Sequence, residues 1–197
     1  MNRVKKSYKN IPAGIFFLLT GLLYLLLLGF PSMAYPLAGI LRLCVIILPI
    51  ALGILAFCRV HGWAMAVLLG LNGLCMGLSI FVERMYLGDF NALADLCRIP
   101  AYLLLMMFSL LTLAKQPGSN PIKYMWYLPV LISCAGDWIF YMQMDYLQYL
   151  DLTAMWIAAD MIHCLGFLML GLWLSDCRKE KIVAKPNMPD PDLAFFS

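Results

Sequence analysis

Long apolar stretches, separated by short polar connections, dominate the pattern of this chain. Six of them are long enough to cross a hydrocarbon core about 30 Å thick, which takes about 20 residues of α-helix. None shows the period-two alternation of a barrel strand, and lipid offers no hydrogen-bond partner to an open backbone amide. The pattern predicts membrane-spanning helices at Ile11–Phe30, Leu37–Phe57, Trp63–Val82, Leu93–Ala114, Tyr124–Met142 and Leu152–Leu174.

The connections between these spans are short, so chain neighbours should pack antiparallel in one bundle. The predicted fold is all-α, a polytopic membrane helix bundle with no room for a soluble domain. We divide the chain into a basic cytoplasmic N-terminus (residues 1–10), a six-helix transmembrane domain (residues 11–176) and a cytoplasmic tail (residues 177–197). Prolines among Asp and Asn residues predict that the tail is disordered.

Basic residues predict the orientation, because cytoplasmic loops carry an excess of Lys and Arg. With the N-terminus inside, eleven of the 14 basic residues lie on the cytoplasmic side, and only Arg42, Arg84 and Arg98 lie outside. We therefore expect both termini in the cytoplasm. The first span resembles a secretory signal in its basic flank, but its apolar run is too long, so we interpret it as an uncleaved anchor.

Composition narrows the class of protein further. The chain is 63% hydrophobic and 13% charged, compared with roughly 25% charged residues in a soluble domain. The net charge of +3 reflects topology and attraction to anionic lipids, and no nucleic-acid motif is present. We expect a multi-pass protein of a bacterial cytoplasmic membrane whose partners are lipids, a small-molecule ligand and a membrane partner subunit, with no nucleic acid.

Several kinds of chemistry lack a motif here. There is no P-loop, dinucleotide fingerprint, zincin motif or hydrolase elbow. The seven cysteines occur singly, and a chain with two histidines cannot form a three-histidine metal site. We expect neither a cofactor nor a bound metal.

The informative residues are the few charged or ionisable ones inside spans, where each charge costs at least a few kcal/mol. All fall in the predicted outer half of the bundle. They are Arg42 in the second span, Asp95 and Arg98 in the fourth, Asp137 in the fifth, and Asp160 and His163 in the sixth.

Two interpretations of these residues stay open at this point. In the structural one, Asp95 pairs with Arg98 and Asp160 with His163, each three residues apart on one helix face, while Arg42 meets Asp137 across the bundle. In the functional one, the groups line an outward-facing pocket, as polar groups do in transporters.

The functional interpretation assigns ligand binding to five residues: Arg42, Arg98, Asp137, Asp160 and His163. The protein would then bind or transport a small polar or amphiphilic solute. The two arginines would hold an anionic group, and the two aspartates with the histidine would exchange protons near neutral pH. A structural or accessory membrane subunit without its own activity is the alternative that follows from simple pairing.

A third hypothesis is an enzyme. Ser133 and Asp137 lie four apart in an S-x-x-G-D segment, and His163 follows one span later. A carboxylate with a nearby imidazole can activate water. Over about 30 residues this arrangement resembles the lysoplasmalogenase family, intramembrane enzymes of about eight spans that cleave the vinyl ether of lysoplasmalogens. The resemblance implies lipid hydrolysis with Asp137, His163 and Ser133 as catalytic residues.

Two further features concern shape. The size and six predicted spans are similar to those of the substrate-binding subunits of energy-coupling-factor vitamin transporters. In the third span, Asn72 lies beside Gly73 and Gly77, which form a G-x-x-x-G motif. Such a small-residue face predicts close approach of a neighbouring helix.

Overall fold

The computed structural model describes residues 10–29, 36–58, 62–87, 92–114, 125–143 and 150–183. These residues form six α-helices and no strand, so the predicted all-α fold is confirmed. The helices are α1 (Ile11–Leu28), α2 (Pro36–Phe57), α3 (Gly62–Leu87), α4 (Ala92–Ala114), α5 (Tyr127–Gln143) and α6 (Leu150–Val183).

Five of these helices are long and apolar enough to cross a membrane, and α5 is the exception. It has 17 residues, which span about 26 Å at the helical rise of 1.5 Å per residue. The longest helix, α6, continues to Val183 and thus includes the first residues of the predicted tail. Residues 1–9 and 184–197, on which the rest of the predicted terminal segments fall, lie outside the described residues.

The six helices form a closed ring. Each helix packs against the next one in the chain, and α1 packs against α6, which closes the circle. In addition, α6 contacts α3 and α4 across the interior. Residues on the inner face of α6 therefore meet side chains from several other helices.

Glycines allow two of the helix pairs to approach closely. On α3, an added Cβ at Gly73 would lie 3.0 Å from the carbonyl oxygen of Tyr102 on α4, so the predicted close approach is confirmed. On α5, an added Cβ at Gly136 would lie 2.6 Å from Cγ of Arg98 and 3.0 Å from the carbonyl oxygen of Ala94. Gly136 thus brings the backbone of α5 against the aliphatic part of the Arg98 side chain.

Polar and apolar side chains divide the interior along its length. Near the N-terminal end of α1, the interior is apolar and aromatic, with Phe17, Phe108, Trp126 and Phe167 all buried. Many large apolar side chains are exposed on the bundle, among them Leu26 (75%) and Leu96 (69%), as expected for a lipid-facing surface. The buried charged residues and His163 lie towards the other end, where α1 ends and α4 begins.

Candidate functional site: an ionic cluster inside the helix ring

The centre of the site is Arg98 of α4, which pairs with two carboxylates from two other helices. Its Nε lies 2.7 Å from Oδ1 of Asp137 on α5, and its Nη2 lies 2.5 Å from Oδ2 of Asp160 on α6. Both carboxylates are buried, with side chains 1% and 2% exposed, while that of Arg98 is 11% exposed. Because Nε and Nη2 form one edge of the guanidinium, the two carboxylates lie next to each other.

A hydrogen-bond chain continues from Asp160 into the middle of the ring. The Tyr24 hydroxyl donates to Oδ1 of Asp160 over 2.5 Å, and its oxygen lies 3.3 Å from Nδ1 of His163. The other ring nitrogen of His163, Nε2, lies 2.8 Å from Nδ2 of Asn72 on α3. Side chains from α1, α3, α4, α5 and α6 therefore form one connected network.

Aromatic rings surround the imidazole of His163. The centroid of the Phe167 ring lies 5.0 Å away, that of Tyr102 5.9 Å away and that of Phe17 6.0 Å away. All three side chains are fully buried. These three rings lie at the boundary between the polar network and the apolar half of the interior.

Two acceptor atoms of the network have no hydrogen-bond partner, and the donor Nε of Arg98 forms an ion pair with Asp137 but no hydrogen bond. Oδ2 of Asp137 and Oδ1 of Asn72 are buried and have no hydrogen-bond partner. Buried polar atoms are usually satisfied, because an unsatisfied one costs about 1–3 kcal/mol. These two atoms are where a bound molecule or water would find an acceptor.

Two ion pairs lie outside this network and correct the predicted pairing. Nε of Arg42 lies 2.9 Å from Oε1 of Glu83, which joins α2 to α3. The predicted contact of Arg42 with Asp137 is therefore wrong. Nε of Arg84 lies 3.2 Å from Oδ2 of Asp95, so the predicted pair of Asp95 with Arg98 is also wrong.

Of the five predicted ligand-binding residues, the structure brings four into the network. They are Arg98, Asp137, Asp160 and His163. Arg42 instead lies at the partly exposed pair with Glu83, with side-chain exposures of 36% and 30%. Asp160 and His163 do not form the expected direct pair, because the Tyr24 hydroxyl lies between them.

The residues proposed for hydrolysis have separate partners. Asp137 contacts Arg98, whereas the hydrogen bonds of His163 go to Tyr24 and Asn72. Ser133 is fully buried on α5, one turn before Asp137. The carboxylate that the network links to His163 is that of Asp160.

Sequence reasoning missed Tyr24 and did not place Asn72 in the site. The available signal was a hydroxyl in the otherwise leucine-rich second half of the first span, since buried tyrosine hydroxyls usually find a partner. For Asn72, the neighbouring glycines suggested only helix packing. In the structure this part of α3 has two roles. Gly73 lets α4 approach closely, and the Asn72 amide reaches His163.

Within the described ranges, no group of three or more His, Cys, Asp or Glu side chains is arranged to hold a metal ion. Comparison of the chain with protein-family models, with curated proteins and with solved structures finds no match.

Proposed function

We propose that this protein binds a small polar or amphiphilic solute at the Arg98 network and transports it across a cell membrane. The supporting observation is the network itself, in which three charged side chains and an imidazole from three helices meet in the interior of the ring. The free acceptor atoms of Asp137 and Asn72 give a solute places to bind. The compartment we propose is the bacterial cytoplasmic membrane.

A purely structural role explains the network less well, because apolar residues would hold the helices together as well as buried charges do. Replacing a buried ion pair by well-packed apolar residues is often neutral or stabilising, so buried charges are a weak way to hold helices together. Glycines and aromatic packing already bring the helices of this ring into contact. Ionisable groups in the interior of a membrane bundle more often mark a pathway for substrates or protons.

The contacts of Arg98 bear on its proposed role. One edge of its guanidinium is occupied by Asp137 and Asp160, so an anionic solute binding there would have to displace a carboxylate. We therefore propose that Arg98 holds the two carboxylates in place. Proton exchange at Asp160 has a route, because the Tyr24 hydroxyl links this carboxylate to the imidazole of His163.

The aromatic residues below the network fit alternating access. Phe17, Phe167 and Phe108 fill the interior on the other side of His163, so a continuous polar path through the ring is interrupted there. In a transporter, the binding site opens to one side of the membrane at a time. We propose that the aromatic layer separates the network from the cytoplasm in this state.

Lipid hydrolysis is the second candidate, and one observation favours it. A buried imidazole linked through a hydroxyl to a carboxylate can act as a general base. In this version the acting residues are His163, Tyr24 and Asp160.

Thermal unfolding of the purified protein in lipid nanodiscs tests the proposal. The panel of added compounds holds small cations, small anions, zwitterions, neutral polyols and lysophospholipids. We expect at least one compound to raise the Tm of the wild type and of the Glu83→Gln control, but not that of Asp160→Asn. Consumption of a lysophospholipid would instead favour the hydrolase. A panel without any shift or turnover would favour the accessory subunit.

A further inference from the structure

Among the described ion pairs in this part of the bundle, the carboxylates outnumber the arginines by one. Arg42 pairs with Glu83 and Arg84 pairs with Asp95, one cation to one anion. Arg98 alone faces two carboxylates, Asp137 and Asp160. With all three ionised, this trio carries one net negative charge inside the bundle.

Such a charge is unfavourable in an environment of low dielectric constant. Two adjacent carboxylates repel strongly there, and one of them takes up a proton unless a second cation is present. The arrangement of two acidic side chains that share one proton is known from enzyme sites. The trio therefore needs one further positive charge.

The neighbouring side chains do not supply that charge as fixed cations. Among the described residues, the other titratable groups near the trio are the hydroxyls of Tyr24 and Tyr102, the thiols of Cys134 and Cys164, and the imidazole of His163. The nearest fixed cation, Arg84, shares the Phe140 ring with Arg98, and its charge is balanced by Asp95. The Asn72 amide nitrogen is a donor, so its contact with Nε2 of His163 requires a lone pair on that ring atom. His163 is therefore neutral in this arrangement.

Since no described side chain supplies it, we look for the second cation in a proton or a bound ligand. We propose that the solute is a cation bearing an ammonium or similar group, which replaces one proton shared by Asp137 and Asp160. This inference rests on the proposed function and names the chemical class of its solute.

Aromatic rings beside the trio favour an organic cation. The ring of Trp156 lies 6.0 Å from that of Tyr24, between centroids, and Phe140 already receives two guanidinium groups, with Arg98 at 5.5 Å and Arg84 at 5.3 Å from its centroid. Aromatic faces and carboxylates together are the usual means of binding ammonium groups. The unpartnered Oδ2 of Asp137 is the acceptor that an ammonium N–H would use.

The exchange conserves charge. In the empty state, one carboxyl O–H neutralises the trio. On binding, that O–H bond breaks, the proton leaves to water, and the solute cation takes its place beside the carboxylate. Because the trio is neutral in both states, one cation replaces one proton, which is the stoichiometry of a proton-coupled antiporter.

Proton release measures this exchange directly. The protein in nanodiscs, in weakly buffered solution with a pH indicator, receives phenethylammonium, choline or tetraphenylphosphonium, with a neutral alcohol and a carboxylate as matched probes. We expect the cations alone to release about one proton for each molecule bound. Asp137→Asn should abolish the release, and Glu83→Gln, which alters the peripheral pair, should retain it.

A second measurement needs no variant and so does not depend on whether a variant folds. One-for-one competition predicts that the apparent affinity of the wild type for the cation falls about tenfold for each unit by which pH is lowered, once the protonated form predominates. Cation binding that is independent of pH would overturn the exchange.

The outcomes separate the two proposals. If neutral or anionic probes bind while none of the three cations does, the cation inference fails and solute binding stands. If no compound of any charge binds in either assay, both fail.

Discussion

The hydroxyl of Tyr24 donates a hydrogen bond to Oδ1 of Asp160 over 2.5 Å and so joins the first helix of the ring to the last. The two residues are 136 positions apart in the sequence. Both are buried, and the same hydroxyl also lies 3.3 Å from Nδ1 of His163. This contact closes the ring at the level of the ionic network.

Removing this hydroxyl should weaken the bundle. In Tyr24→Phe, Oδ1 of Asp160 loses its donor while Oδ2 keeps Arg98, and a buried acceptor without a partner costs about 1–3 kcal/mol. We expect that loss in the free energy of unfolding, measured by reversible titration with a denaturing detergent in mixed micelles. The matched control is Tyr127→Phe, at a residue that is 44% exposed. An equal loss in both variants would contradict the assignment.

Replacing Arg98 tests the charge relation of the trio. Arg98→Met leaves two adjacent carboxylates without their cation, and breaking a buried ion pair typically costs about 3–5 kcal/mol. Adding Asp137→Asn should restore part of this stability, since only one carboxylate then remains. The double-mutant cycle is read from the same unfolding titration, and strict additivity of the two substitutions would contradict direct coupling.

Arg42 should behave differently from Arg98. Its pair with Glu83 is about one-third exposed on both sides, and such pairs contribute roughly 0–1 kcal/mol. We expect Arg42→Gln to change the free energy of unfolding by less than about 1 kcal/mol and to leave ligand-induced shifts in Tm unchanged. If this variant lost the ligand-induced shift in Tm, Arg42 would have to be counted among the ligand-binding residues.

Gly136 controls the distance between α4 and α5. A methyl group there would meet Cγ of Arg98 at 2.6 Å and backbone at 3.0 Å, so Gly136→Ala should separate the two helices. Overpacking of this kind costs about 1–3 kcal/mol. In the control Gly77→Ala the nearest atom lies at 3.5 Å, an ordinary contact. Equal unfolding free energies for the two variants would contradict the close approach.

The hydrogen bonds of His163 predict its tautomer. If the Asn72 amide nitrogen donates to Nε2, the ring proton is on Nδ1, where it points to the Tyr24 oxygen. The chain has two histidines, so His61→Gln leaves a single imidazole for nitrogen NMR with labelled histidine. We expect the Nδ1–H form. A proton on Nε2 would mean that the Asn72 amide has the opposite orientation.

Because α5 is shorter than the other helices, whether it crosses the membrane decides on which side the C-terminus lies. If α5 crosses the membrane, the six helices place both termini on one side, and the basic residues predict that this side is the cytoplasm. Cys58, exposed after the end of α2, reports the side of the N-terminus and should react with an impermeant maleimide only after cells are opened, in a variant with no other cysteine. Reporter fusions at the two termini show whether the chain crosses the membrane an even or an odd number of times. Termini on opposite sides would mean that α5 does not cross.

The sequence was a good guide to the helices and a poor one to their partners. Apolar length alone predicts where a chain crosses lipid, so the starts of α1, α2, α3 and α4 fall within one residue of the predicted spans. Which face of each helix points inward depends on packing between helices. The local rule that residues three apart pair on one helix therefore did not hold for Asp95 and Arg98, because Arg84 on α3 lies close to Asp95.

The chain order of the trio also constrains how the protein is made. Arg98 leaves the ribosome before either of its carboxylates, and Asp160 follows 62 residues later. A nascent α4 released alone into lipid would carry an unpaired cation below the surface. Assembly of this bundle therefore requires that the insertion machinery retain α4, or that its arginine reach the headgroups, until α5 and α6 arrive.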